Sequence, residues 1–160
     1  MVSEINQTPK ALRLHIGVFG RTNAGKSTLI NAVSGQYIAI TSPVAGTTTD
    51  PVFKPMEIIP LGPVVFIDTA GLDDTTELGS IRTKKSLQQL STCDAAILVV
   101  SAKNNDIEKE IEYYKIIKEK NIPVIVVVNT FGENVDSSIS KEFDSKVIYI
   151  DLEKDDITPI

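Results

Sequence analysis

At 160 residues and 17.4 kDa the chain is sized for one domain with a three-layer core, and its 42% hydrophobic content excludes a disordered segment. A net charge of −5 and a pI near 4.9 speak against a nucleic-acid surface, which needs clustered Lys and Arg; Arg82, Lys84 and Lys85 read as a solvated helix face. The single cysteine, Cys93, excludes an internal disulfide or a cysteine-only metal cluster within the chain. No run approaches the roughly 20 apolar residues of a membrane span, and the start lacks a signal-peptide pattern, so a cytoplasmic location is expected.

Residues 1–10 read as a flexible polar lead and 11–160 as one domain. Apolar runs then alternate with helical patterns, which predicts an α/β fold with a mostly parallel sheet covered on both faces. Strands are expected near 12–19, 52–59, 63–68, 95–101, 122–128 and 146–150, and helices over 26–34, 79–91 and 105–120. Pro51, Pro55 and Pro60 bracket or interrupt the second strand, so it belongs at an edge, with Leu61-Gly62-Pro63 as the hairpin to the third. In the last helix Ile107, Ile111, Tyr114 and Ile117 recur at helical spacing and form a core stripe.

The first strand, Leu14-His15-Ile16-Gly17-Val18-Phe19, runs into Gly20-Arg21-Thr22-Asn23-Ala24-Gly25-Lys26-Ser27. This is a complete G-x-x-x-x-G-K-[ST] phosphate loop between a strand and a helix, the context such a motif requires. Gly20 and Gly25 allow successive N–H groups to point inward, and the helix start adds the positive end of its dipole. The backbone of Arg21, Thr22, Asn23, Ala24, Gly25, Lys26, Ser27 and Thr28 is therefore the candidate cradle for a nucleotide's phosphates. Lys26 is placed to reach the β- and γ-phosphates, and the Ser27 hydroxyl to ligate Mg²⁺. Asp68 closes the apolar run Val64-Val65-Phe66-Ile67 beside the first strand and offers Mg²⁺ a carboxylate, directly or through water. Gly71, in Asp68-Thr69-Ala70-Gly71, offers a backbone N–H to a γ-phosphate. Residues 36–50 and 69–79 are polar and glycine-containing, the composition of loops that a γ-phosphate orders.

With the phosphate loop, Gly46-Thr47-Thr48-Thr49-Asp50 and Asp68-Thr69-Ala70-Gly71 in this order, the chain resembles the translation-factor-related small GTPases. It is similar to their branch of tRNA-modification and ribosome-assembly GTPases, of the TrmE and Era kind. Within that branch, longer strings resemble the FeFe-hydrogenase maturation GTPases, the HydF family. They are Leu14-His15-Ile16, Gly20 through Ser27, Val44 through Val52, Gly62-Pro63-Val64-Val65 and Ile67 through Asp74. The resemblance is dense over residues 12–100 and weak afterwards.

The resemblance implies a P-loop NTPase fold, a three-layer, six-stranded, mixed but mostly parallel sheet. It implies GTP and GDP as ligands, and slow GTP hydrolysis that depends on K⁺, on facing-switch homodimers, or on both. Thr48 would complete the Mg²⁺ shell, with Thr47 and Thr49 as register alternatives. Asn23 would hold K⁺ between the phosphates; the plainer alternative makes it a loop-conformation residue. Leu72 stands where many GTPases place a water-orienting glutamine, so Asp73, Asp74 or Glu77 would orient water or simply be solvated. The implied partners are other domains of the same protein and the hydrogenase maturation machinery that assembles or delivers a diiron subcluster. The family's cluster-binding cysteines cannot reside in a chain whose only cysteine is Cys93, so a fragment of a longer protein is expected. The rivals are a tRNA-modification or ribosome-assembly GTPase, and a nucleotide-binding switch module with negligible turnover.

The guanine-reading part departs from the pattern. The strand Val124-Ile125-Val126-Val127-Val128 should end in Asn-Lys-x-Asp but continues Asn129-Thr130-Phe131-Gly132. Gly132 cannot supply the carboxylate that accepts from guanine's ring N–H and amine, and Thr130 cannot lay a lysine stem over the base. Glu133 would substitute if the loop shifts, while Asn129 is left to bond the base and brace the phosphate loop. Ser101-Ala102-Lys103 spells the second guanine motif after the wrong strand and is taken as coincidence; the expected place holds Asp151-Leu152-Glu153. His15 reads as structural, and Cys93 as a buried or half-buried neutral thiol.

Overall fold

A computed structural model describes residues 13–21, 23–34, 52–58, 62–69, 88–104 and 106–154. Six strands form one sheet: β1 (Leu14–Gly20), β2 (Val52–Ile58), β3 (Gly62–Asp68), β4 (Ala95–Ser101), β5 (Val124–Asn129) and β6 (Val147–Ile150). Their spatial order is β2-β3-β1-β4-β5-β6, with β2 antiparallel to β3 and the other pairs parallel. Among the described residues, two α-helices, α1 (Lys26–Ser34) and α2 (Glu108–Glu119), and a 3-10 helix, η1 (Ser137–Glu142), accompany them, and residues 88–90 are helical.

Strand alternation splits the apolar side chains between two cores. Phe19, Leu98, Val100, Val126 and Val128 pack with Tyr113, Tyr114 and Ile117 of α2. Ile16, Val18, Ile97, Val99 and Val127 pack with Leu29 and Ile30 of α1. The sheet is thus the middle of three layers. This arrangement brings the carboxyl ends of β1, β3, β4 and β5 together, where an open α/β sheet presents ligands with loop residues.

The edge position expected for β2 holds. Its exposed Pro55 pairs with Val65 from outside the sheet, where a missing N–H costs no internal ladder bond. The expected hairpin shifts, however. Gly62 and Pro63 belong to β3, in register with Ile58 and Glu57. Gly62 begins the strand with a φ of +96°, a conformation open to glycine, and Pro63 lies before Val64, where the pairing with β1 starts.

The α2 stripe also shifts. Tyr114 and Ile117 are buried as expected and Ile107 and Ile111 partly so, but Tyr113 and Glu110 join the buried face. The helix begins at Glu108 rather than 105, because Asp106 Oδ1 accepts the Glu108 N–H at 2.8 Å and ends the loop there. Among the described residues no helix is long and apolar enough to cross a membrane.

Candidate functional site

The loop between β1 and α1 is shaped by close backbone approach. A Cβ on Gly20 would stand 2.6 Å from the Val99 carbonyl oxygen, so the loop leaves β1 flush against β4. Gly25 has a φ of +114°, and a Cβ there would stand 2.6 Å from Asn129 Nδ2. Asn23 takes φ +65° between them and is exposed. Asparagine is among the few residues that enter this region readily. Ala24 is buried. Thr28 is half-buried within α1, while Thr22 lies outside the described residues.

Lys26 opens α1 and folds back over the loop, its ammonium donating to the carbonyls of Gly20 at 3.0 Å and Arg21 at 2.8 Å. Ser27 Oγ donates to Asp68 Oδ2 at 3.3 Å, so the end of β3 and the start of α1 converge through a hydroxyl and a carboxylate. Lys54, from the edge strand, brings its ammonium to 3.6 Å from the same Asp68 oxygen. A cation already favours this spot, and hard oxygen donors are the set Mg²⁺ takes. Among the described residues no three His, Cys, Asp or Glu side chains gather as a metal cage. Two protein oxygens suit an ion that keeps its other positions for water and phosphate. Ser27 and Asp68 therefore fit Mg²⁺, which would supply positive charge beside the phosphates. Thr69 ties the start of the following loop to β1 by donating its hydroxyl to the Val18 carbonyl at 2.6 Å.

Asn129, at the end of β5, is nearly fully buried and works in two directions. Its Nδ2 donates to the Ala24 carbonyl at 3.2 Å, and its Oδ1 accepts from the N–H groups of Leu152 at 3.3 Å and Phe131 at 3.4 Å. The expected brace of the phosphate loop is present, and it extends to the segment after β6. Ser101-Ala102-Lys103 supports the same corner. The Ala102 N–H donates to the Asn129 carbonyl, and Lys103 lies 4.2 Å from the Phe131 ring centroid.

Arg21 was expected only as part of the loop backbone, but its side chain anchors the loop to α2. Its Nε lies 2.8 Å from Glu110 Oε1, and its Nη2 donates to the Asp106 carbonyl at 2.8 Å. Glu110 is wholly buried. Burial pushes its carboxyl above the ordinary range, and the Arg21 guanidinium pulls it partly back. The signal was in the sequence: Glu110 stands on the stripe completed by Tyr113, Tyr114 and Ile117, where an acid requires a partner.

His15 is structural: Nδ1 lies 2.8 Å from the Arg13 carbonyl and 3.7 Å from Asp94 Oδ2. Cys93 is half-buried, its thiol donating to the Gln89 carbonyl at 3.3 Å. Burial first, and then the neighbouring Asp94 charge, push its pKa up to about 11. Alkylation by iodoacetamide at pH 8 is therefore expected to run about two orders of magnitude slower than for a free thiol, because the thiolate is scarce. The rate should climb towards pH 11 and become ordinary in urea; fast labelling of the native chain at pH 8 would contradict this environment. Thr47, Thr48, Thr49, Gly71, Leu72, Asp73, Asp74, Glu77, Arg82, Lys84 and Lys85 lie outside the described residues.

Known proteins agree with this geometry. The family described as 50S ribosome-binding GTPase matches residues 15–130. GTPase Der of Campylobacter hominis is 33% identical over 126 residues, 79% of this chain and 27% of that protein. The tRNA modification GTPase MnmE of Aquifex aeolicus is 31% identical over 147 residues, 90% of this chain and 32% of that protein. The chain spans about a third or less of the length of these relatives. Era of Aquifex aeolicus bound to GDP.AlF4- superposes with a TM-score of 0.73 at 28% identity, covering 87% of this chain and 51% of that one. Era in complex with MgGDPNP and part of 16S ribosomal RNA gives 0.72 at 28% identity, again over 87% of this chain and 51% of that one. With a phosphate loop, an Asp68–Ser27 pair and an Asn129 brace at the carboxyl ends of a six-stranded sheet, the chain belongs to the 50S ribosome-binding GTPase family, as a P-loop GTPase domain of the Era, Der and MnmE type.

Proposed function

We propose that this domain binds GTP with Mg²⁺ and hydrolyses it slowly, with K⁺ as activator, so that the bound nucleotide times contacts made by its switch loops. The convergence of Lys26, Ser27 and Asp68 at one end of the braced loop carries this reading. Lys26 leaves its two carbonyl partners for the β- and γ-phosphates, and the loop amides and the dipole of α1 meet the charge of the transferring oxygens. Thr48 and Gly71 complete the Mg²⁺ and γ-phosphate contacts, and Asn23 holds K⁺ where an arginine would otherwise supply charge. Facing switch loops in a homodimer would assist. Single-turnover hydrolysis compared in K⁺ and Na⁺ tests this. Faster hydrolysis in K⁺ supports it, equal rates return Asn23 to a conformational role, and no hydrolysis in either salt makes the domain a binding switch.

Two readings of what the switch serves rest on different observations. The named relatives, and the Era complex with 16S ribosomal RNA, favour a tRNA-modification or ribosome-assembly role. The strings Asp50-Pro51-Val52 and Gly62-Pro63-Val64-Val65 favour metallocluster assembly for an FeFe-hydrogenase, with other domains and maturation proteins as partners. The net charge of −5 weighs against direct RNA contact by this domain. Deleting the gene separates them: lost hydrogenase activity with intact tRNA modification and ribosome profiles supports the second reading, and the reverse supports the first.

A further inference from the structure

The phosphate loop fixes one end of the nucleotide, and Asn129 fixes where the other end lies. Through its bonds to Ala24 and Leu152 it joins the loop to the carboxyl ends of β5 and β6. Leu152 Cδ1 would stand 3.2 Å from a Cβ on Gly25, so residues 151–153 adjoin the loop itself. A base attached to phosphates held at residues 20–27 therefore falls between the segments 129–133 and 151–153.

Guanine shows two donors on one edge, the ring N1–H and the exocyclic amine, whereas adenine shows an unprotonated nitrogen there. A carboxylate, acceptor-only and with two oxygens, pairs with the first and repels the second. Three carboxylates lie in these segments. Glu133 and Glu153 are exposed. Asp151 is different. It is 7% exposed, and its Oδ1 accepts the Glu153 N–H at 3.1 Å. Its Oδ2 lies 3.3 Å from where a Cβ on Gly132 would stand, with Gly132 at φ +76°.

The missing aspartate and this carboxylate thus share one space. Gly132 is the position whose side chain should carry the base-reading carboxylate, and the Asp151 carboxylate borders the space that such a side chain would enter, with Oδ2 3.3 Å from its Cβ. A side chain at both positions would crowd two anions together, and glycine at 132 removes that conflict. We infer that Asp151, projecting from the end of β6 over Gly132, is the residue that selects guanine in this domain, in place of a carboxylate from the segment after β5. This rests on the GTP reading above and names the specificity determinant of the same site. It gives Asp151 the role that Glu133 would take only if its loop shifted.

The test is isothermal titration of the chain with GDP, XDP and ADP in Mg²⁺, for the wild type, Asp151→Asn, Glu133→Gln and Gly132→Ala. The wild type is expected to prefer GDP over ADP. Asp151→Asn keeps an oxygen for the Glu153 N–H but replaces one acceptor by a donor. GDP should weaken about 100-fold, as expected for losing charge-assisted bonds to two donors. XDP, which carries a carbonyl where guanine has its amine, should tighten. Glu133→Gln should bind GDP as the wild type does. Gly132→Ala sets a Cβ 3.3 Å from the Asp151 carboxylate and strains the backbone at φ +76°, so GDP should weaken more than ADP, and it carries the test if the Asn variant fails to fold. Wild-type GDP affinity in Asp151→Asn or, in that variant's absence, in Gly132→Ala overturns the assignment and leaves the GTP reading intact. Equal wild-type affinity for GDP and ADP overturns the assignment and guanine selection together, while no binding of any nucleotide overturns the GTP reading itself.

Discussion

Lys26→Met is expected to weaken GTP binding by about 100- to 1,000-fold and to abolish measurable hydrolysis. The ammonium lies against the phosphate loop itself, where it already spans the Gly20 and Arg21 carbonyls at 3.0 and 2.8 Å. Hydrogen bonds to charged groups contribute about 1.5–3 kcal/mol each, and two phosphate contacts therefore account for a loss of this size. Methionine keeps the length and burial of the stem, so thermal unfolding without nucleotide should change little. GTP should then fail to raise the melting temperature, because a ligand stabilises only in proportion to its binding. A variant that still gains several degrees on adding GTP would place the phosphates elsewhere.

Glu110→Ala should lower stability by about 3 kcal/mol, at the low end for breaking a buried pair because the Arg21 side chain keeps 17% exposure. For a domain of this size that is a fall of about 6–12 °C in melting temperature. The cost comes from leaving the Arg21 guanidinium facing a cavity, not from the ion pair's intrinsic strength. Replacing both residues with apolar ones, Arg21→Met with Glu110→Leu, should therefore recover most of the loss. Because Arg21 sits inside the phosphate loop, the single variant should also loosen nucleotide binding, and the double variant should restore it only in part. A melting temperature unchanged by Glu110→Ala would show that α2 does not hold the loop.

The phosphate loop, Asp68 and the sheet were legible because each rests on local chemistry. Glycine permits a tight turn wherever it occurs, a lysine and a hydroxyl at fixed spacing meet phosphate and metal, and runs such as Val124–Val128 have nowhere to go but a buried strand. The edge position of β2 followed from Pro55 for the same reason, since a residue without an N–H cannot serve a central ladder. Strand limits were less secure. Gly62 and Pro63 look like turn residues in isolation, and only their pairing with Ile58 and Glu57 makes them the start of β3.

What the sequence could not decide depends on residues far apart in the chain. The acid at 110 is conspicuous on an apolar stripe, but its partner lies 89 positions away (110 − 21) in the phosphate loop. Asn129 is recognisable as a strand-end asparagine, yet its bonds to Ala24 and Leu152 require β5 to stand between the loop and β6. The absence of a carboxylate at 132 is plain in the sequence, whereas the Asp151 carboxylate over Gly132 appears only when parallel β5 and β6 end side by side. Motif spacing determined that a triphosphate is held, since a contiguous backbone makes that site. Strand order decided what stands over the base, since that site is made of two segments that meet only in the folded sheet.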